Sequence, residues 1–530
     1  MKKNLFFTLP LLLLLSCGQG AVDPWETDPM DSFADGVEHG MIELGDKLED
    51  PYALSNVQAA VASLYPTKAS RIQVDPTDLY VRFLPANEQQ FASLKALGIP
   101  LLDHPVDYRV VREGDYYHDP TLAEDQITWQ YSVVSKDFPL PKDIRCEVLE
   151  QCYIGEHDRV TRAGESFDWE AVEREAYRLT GNEALYPALT KSTTLEPVQP
   201  KGRITIADPT ANGGQPFGVA GVQVSCNAFV KFSQTYTDRD GYYTMPRTFS
   251  SKVRYRLIFA NEKQFNIGFN LLLVPASVST MGKGEPTGMD LHVEENSDGA
   301  LFRRCAVNNA AYEYYGRCNQ EDLDIPTPPE NLQIWIVPFL QPGCAPMLHH
   351  GNHLELGRFK EYVGEFMPLI RIFLPDLILG TRGKNSYRDL YVETVHQLAH
   401  ASHYMKAGDS YWKPFTSYML ETFLATFGHS FGDGTGAGAG YCEVAQMWAY
   451  FLEGKLYEDR YGEAPPSFGM SFWFYPQIFR YLSERGLTPG DIIRTLGPAV
   501  HSRDVLQQAL EEAHPEMADV IGQVFERYGR

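Results

Sequence analysis

Tyr391-Val392-Glu393-Thr394-Val395-His396-Gln397-Leu398-Ala399-His400-Ala401-Ser402-His403-Tyr404 is the stretch on which the reading of this 530-residue chain turns. Ser386, with Asp389 three residues later, marks a helix start, and Gly408 marks its stop. Between them His396 and His400 stand at i and i+4, so both imidazoles leave one face, roughly 6 Å apart at Cβ. Two neutral imidazoles so placed can meet one Zn²⁺ ion at about 2.0–2.1 Å each. A third protein ligand must then come from elsewhere, and a fourth position stays open for water or substrate. His403 lies on nearly the same face. A straight helix rarely brings three such turns to one tetrahedral ion, so His403 is expected outside the ligand set. His349, His350 and His353 precede the helix and read as loop residues.

The pattern resembles the H-E-x-x-H helix of the zincin metallopeptidases, with Gln397 where that family has glutamate. The resemblance implies an α-rich zincin-like domain over 320–530, a bound zinc ion, and Gln397 at the general-base position. In that family the glutamate takes a proton from zinc-bound water and passes it to the leaving amine. A glutamine amide can hydrogen-bond such a water and cannot accept its proton. Loss of a positioned general base costs about 10²–10⁴-fold in rate. In the gluzincin subgroup the third ligand is a glutamate on a later helix, and two carboxylates are open for it here. Glu421 lies in Tyr418-Met419-Leu420-Glu421, and Glu443 heads Glu443-Val444-Ala445-Gln446-Met447-Trp448. Glu443 is preferred, because it opens an apolar-patterned helix directly after the six glycines of 428–440, which permit close approach or movement. The expected metal set is His396, His400 and Glu443.

Before this part the periodicity changes to two. Gly202-Arg203-Ile204-Thr205-Ile206, Val219 to Val224, Tyr242-Tyr243-Thr244 and Tyr255 to Phe259 read as short strands with turn residues between them, a sandwich pattern. In Asp238-Arg239-Asp240-Gly241-Tyr242, the aspartates cap the turn and Gly241 supplies positive φ. These segments resemble the carboxypeptidase regulatory-like domain, a small transthyretin-like β-sandwich that serves as scaffold or interaction module. The resemblance covers 200–295. Residues 51–185 read as an N-terminal α+β region, with a strand at 79–84, a helix capped by Asn87, a second strand at 108–111 and a helix opened by Ser166. The fold class expected is multidomain α+β.

The first residues set the compartment. Lys2 and Lys3 precede an apolar run that ends in Leu14-Leu15-Ser16-Cys17. A charged start, a short apolar stretch and small residues at a cleavage point describe an export signal. Its ending resembles the bacterial lipobox, which implies a signal peptide over 1–17, lipidation of Cys17 and a tether over 18–50. Stable anchoring to a membrane takes two or more acyl chains. The expected location is the bacterial cell envelope, at the outer membrane or cell surface. Seven cysteines follow Cys17; the nearest pairs in sequence are Cys146/Cys152 and Cys305/Cys318, and no pair has CxxC spacing.

A net charge of −23 argues against binding nucleic acid. Hydrophobic residues at 44% and charged residues at 22% are those of a chain that buries real cores. Serine-hydrolase and P-loop chemistry are set aside. The expected function is that of a zinc metallopeptidase-like lipoprotein impaired in hydrolysis by Gln397. The alternative is a non-enzymatic surface protein that holds a peptide or glycan.

Overall fold

Alternating side chains build the first sheet. In β2 (Asp78–Leu84), Val81 and Phe83 turn inward, and the strand lies between β4 (Gln130–Ser135) and β5 (Arg145–Cys152), antiparallel to both. α2 (Glu88–Lys95) is capped by Asn87, whose side chain accepts from the Gln90 amide, and its Leu94 packs on Val81, Phe83 and Val134. α1 (Leu54–Leu64) and α3 (Trp169–Leu179) pack together through Val57, Val61, Val172 and Ala176. β1 (Glu43–Lys47) and β3 (Tyr108–Arg112) form a separate two-stranded ribbon. α3 is capped by Asp168; Ser166, the cap expected from the sequence, lies outside the described residues. The computed structural model describes residues 41–67, 72–114, 117–123, 126–155, 168–186, 197–268, 278–295, 299–338, 343–351, 375–426 and 431–528. The expected signal, Cys17, most of the tether and His353 lie outside them.

Two sheets make up the middle of the chain. One has the order β10 (Tyr242–Thr244), β6 (Lys201–Ile206), β14 (Leu291–Val293), with β7 (Phe217–Gly218) also on β6. The other begins β9 (Lys231–Tyr236), β8 (Val222–Ala228), β11 (Val253–Asn261), β12 (Phe265–Gly268), with β13 (Val278–Gly284) beside β11. Of the two aspartates expected to cap the turn into β10, it is Asp238 whose side chain takes the turn amides. Asp238 Oδ1 accepts from the Asp240 and Tyr242 amides, and Gly241 has φ +83° with the Ile204 carbonyl where a Cβ would stand.

The second sheet does not stop there. β12 pairs in parallel with β15 (Leu332–Val337), Phe265 opposite Leu332, and β15 pairs in parallel with β16 (Leu377–Gly380). Between β14 and β15 the chain forms α4 (Gly299–Cys318), which packs against α5 (Tyr387–Ala407). α6 (Asp409–Thr426), α7 (Ala439–Tyr461), α8 (Gln477–Ser483), α9 (Pro489–Thr495), α10 (Arg503–Ala513) and α11 (Ala518–Arg527) complete a helix-rich C-terminal part. One apolar core runs from Ile204 of the small sheet to Phe525 of the last helix. The protein is α+β, with its helices concentrated toward the C-terminus.

α8 starts only at Gln477, because Pro476 has no amide to continue a helix backward and Phe472 and Phe474 stack with Tyr450 instead. Cys146 and Cys152 lie at the two ends of β5, about 20 Å apart at the rise of a strand. Cys305 and Cys318 lie on one helix, also about 20 Å apart. A disulfide needs Cα atoms within about 7 Å, so neither pair can bond. All seven cysteines after Cys17 are free thiols. Among the described residues no helix is long and apolar enough to cross a membrane.

Candidate functional site

α5 begins at Ser386, whose side chain accepts from the Asp389 amide, and ends at Gly408 with φ 70°, the boundaries read from the sequence. Nearly every residue of its second half is buried, so the two histidines point into protein. The His396 and His400 rings stand 5.0 Å apart between centroids, with exposures of 7% and 1%. α7 runs antiparallel across them. Its Glu453 Oε2 lies 2.8 Å from His396 Nδ1, its Trp448 indole donates to the Ala399 carbonyl at 2.9 Å, and its Gln446 lies against His400. Tyr450, between Glu453 and Gln446, packs on His396 at 4.4 Å.

Each histidine has its own surroundings. Glu453 takes the Nδ1 side of His396 and receives the Ser467 hydroxyl on its other oxygen at 2.7 Å. Such a carboxylate orients an imidazole and leaves Nε2 free. His400 lies between Trp412 and Phe415, and its Nδ1 has no hydrogen-bond partner. Burial first, then the neighbouring His396 and His403, holds the His400 pKa well below its ordinary value, so this ring is neutral. His403 is fully buried between Tyr411 and Trp412, and burial brings it to about 3. His349 is partly buried, whereas His350 is bound to Asp376 at 2.8 Å and to the Glu330 carbonyl at 2.9 Å.

Gln397 projects from the same turn into a different network. Its Nε2 donates to Glu393 Oε1 at 3.2 Å, Glu393 is held by Lys384 at 2.5 Å, and Gln397 Oε1 is buried without a partner. Gly343 closes this side: a Cβ there would stand 1.9 Å from Glu393 Oε1 and 3.0 Å from Gln397 Nε2.

The sequence-derived carboxylates stand elsewhere. Glu443, one turn before Gln446 on α7, is buried and receives Nε of Arg503 from α10 at 2.8 Å, together with its Nη2. Glu421 is exposed on α6. Among the described residues no three His, Cys, Asp or Glu side chains converge as a metal site. The two histidines suit a zinc ion in donor type and spacing; the third ligand expected from the resemblance is not beside them. Glu453 and Gln446 escaped the sequence reading, although both share the α7 stripe with Tyr450 at spacings of three, four and seven. Gly428-His429-Ser430-Phe431-Gly432 also has the G-x-S-x-G form of a hydrolase elbow, which the sequence reading passes over. The element before it is the helix α6, ending at Thr426, where that motif follows a strand; His429 and Ser430 lie outside the described residues.

Beside the pair lies an open cleft of about 250 Å³, walled by Tyr450, Ser467, Phe472, Pro465, Lys455 and Arg480. Tyr450 and Ser467 are the residues that touch His396 and Glu453, so the cleft adjoins the histidine site. No protein-family model matches the chain, and comparison with curated proteins finds no significant relative.

Proposed function

We propose that this chain is a bacterial envelope lipoprotein, anchored through Cys17, whose C-terminal part keeps the paired-histidine helix of a zincin peptidase without its hydrolytic power. The observation that carries this reading is Gln397. Its amide nitrogen is committed to Glu393, and the amide oxygen that remains cannot take a proton from an attacking water. His396, turned by Glu453, and neutral His400 are available to bind and orient a ligand group, and Tyr450 offers it an aromatic wall. Zinc, where bound, would supply a Lewis acid that polarises a carbonyl.

The cleft favours a second reading of the same site, in which the protein holds a peptide or glycan at the cell surface without converting it. Its mixed lining of aromatic rings, Lys455 and Arg480 suits an extended polar chain. A peptide library incubated with the full-length protein and zinc separates activity from binding. The expected result is saturable binding without cleavage; turnover at the rate of an ordinary zinc peptidase overturns the proposal. Mass spectrometry of the same native protein should show an acylated Cys17 as first residue, and an intact signal would remove the anchor from the reading.

A further inference from the structure

α7 presents a carboxylate to His396 and an amide to His400. We infer that Gln446 occupies the place from which a later-helix carboxylate would complete a metal site with His396 and His400, and that this one amide is why the native chain lacks a full ligand set. The inference rests on the peptidase-like reading above and deepens it.

α5 and α7 cross in antiparallel register. Glu453 meets His396, Trp448 meets Ala399 and Gln446 meets His400, so the pairing runs steadily backward along α7 as it runs forward along α5. Gln446 and Glu453 are seven residues apart, two turns on one stripe. Glu453 is already used twice, on His396 Nδ1 and on Ser467, and serves to orient the ring. Glu443 could join the histidines only by abandoning Arg503, a guanidinium that is itself buried. Glu421 faces solvent. Gln446 remains.

Its environment marks it as a site and not as packing. Gln446 is fully buried, and neither Oε1 nor Nε2 finds a hydrogen-bond partner. His400 Nδ1 and Gln397 Oε1 on the facing helix are unpaired as well. A buried polar atom left unpaired costs about 1–3 kcal/mol, so three where Gln446 meets His400 need a cause. The two glutamines supply one. Both are amides, isosteric with glutamate, where the chemistry of a zinc peptidase uses carboxylates, one as base and one as ligand. Gln446 leaves the His400 side of the helix crossing without a negative charge, and Gln397 leaves its own side without a base. What is left to a divalent cation is two imidazole nitrogens and no carboxylate ligand, which is too little to hold zinc against water.

The full-length protein tests this by zinc titration against a chromophoric chelator and by elemental analysis after dialysis. Gln446→Glu is expected to gain one tightly held zinc per chain, with affinity at least ~10-fold above the native protein, and to lose the gain when His396→Ala is added. Gln446→His covers the case in which a buried carboxylate prevents folding, since a neutral third imidazole can ligate in its place. Circular dichroism checks that each variant is folded. Two results overturn the inference: folded Gln446→Glu and Gln446→His that bind zinc no better than the native chain, or a native chain that already holds one zinc and loses it in Glu443→Gln. Neither result decides the absence of peptide turnover, which is measured separately on the native protein.

Discussion

At the scale of single residues, the C-terminal half of α5 is a line of buried imidazoles whose chemistry is set by what lies opposite each one. His396 meets a carboxylate, His400 an amide, and His403 two aromatic rings. His403 has a consequence for stability. Its pKa falls from 6.5 to about 3 because the ring is buried. Between those values the unfolded chain holds a proton that the folded chain does not, so stability is lost as pH falls from 6.5 toward 3, by about 1.4 kcal/mol per pH unit. His403→Phe keeps an aromatic ring of similar size between Tyr411 and Trp412 and removes the titration. Its acid-unfolding midpoint, followed by circular dichroism across pH, should lie below that of the native protein. Identical acid limbs would show that His403 carries no such linkage.

At the scale of elements, α7 is the helix against which others are fixed. It crosses α5 at the histidines, receives Arg503 of α10 at Glu443, and near its end carries Arg460, which pairs with Glu313 of α4 at 2.6 Å. The Glu443–Arg503 pair is buried, and Arg503 also donates to the Tyr528 carbonyl and lies 4.8 Å from the Tyr475 ring. Removing one partner of such a pair leaves the other charge buried and costs about 3–5 kcal/mol. Glu443→Ala should therefore lower the urea midpoint strongly, while Glu421→Ala at an exposed position should change stability by less than ~0.5 kcal/mol. Equal, small effects from both would mean that Glu443 does not serve as the anchor for α10. Sequence patterning located α7 and not its partners, since a glutamate in a helix reads alike whether it faces an arginine, a histidine or water.

At the scale of the molecule, the sandwich and the helix-rich part share structure. The β12–β15 hydrogen bonds carry one sheet from residues 253–268 to 377–380, across the interval between the 200–295 and 320–530 parts read from the sequence. Arg460 adds a second tie: it reaches Asp208 beside the small sheet at 3.3 Å and lies within 5.8 Å of Phe217, Tyr387, Tyr391 and Tyr461. Without residues 299–528, the buried Phe265 and Ile267 of β12 would lie on an open sheet edge, and the shared core would lose its larger half. A fragment of 197–295 is expected to aggregate or to unfold without a cooperative transition, as read by calorimetry. A monomeric fragment with a sharp transition would show that the sandwich stands alone.

The sequence by itself determined the elements whose information is local. The Asn87 cap, the turn at Asp238 and Gly241, the limits of α5 at Ser386 and Gly408, and the i, i+4 placement of His396 and His400 all depend on residues a few positions apart, where backbone geometry leaves little choice. The α+β class follows from the same periodicities. Tertiary structure alone decided which α7 side chain faces which histidine, that Glu443 belongs to Arg503, that the cysteines are too far apart to bond, and that β12 and β15 join. These depend on the crossing of helices separated by some thirty residues of chain and on a parallel pairing between strands with a long helix between them. Such contacts are set by how the whole core packs, and no short window of sequence contains the partner's position.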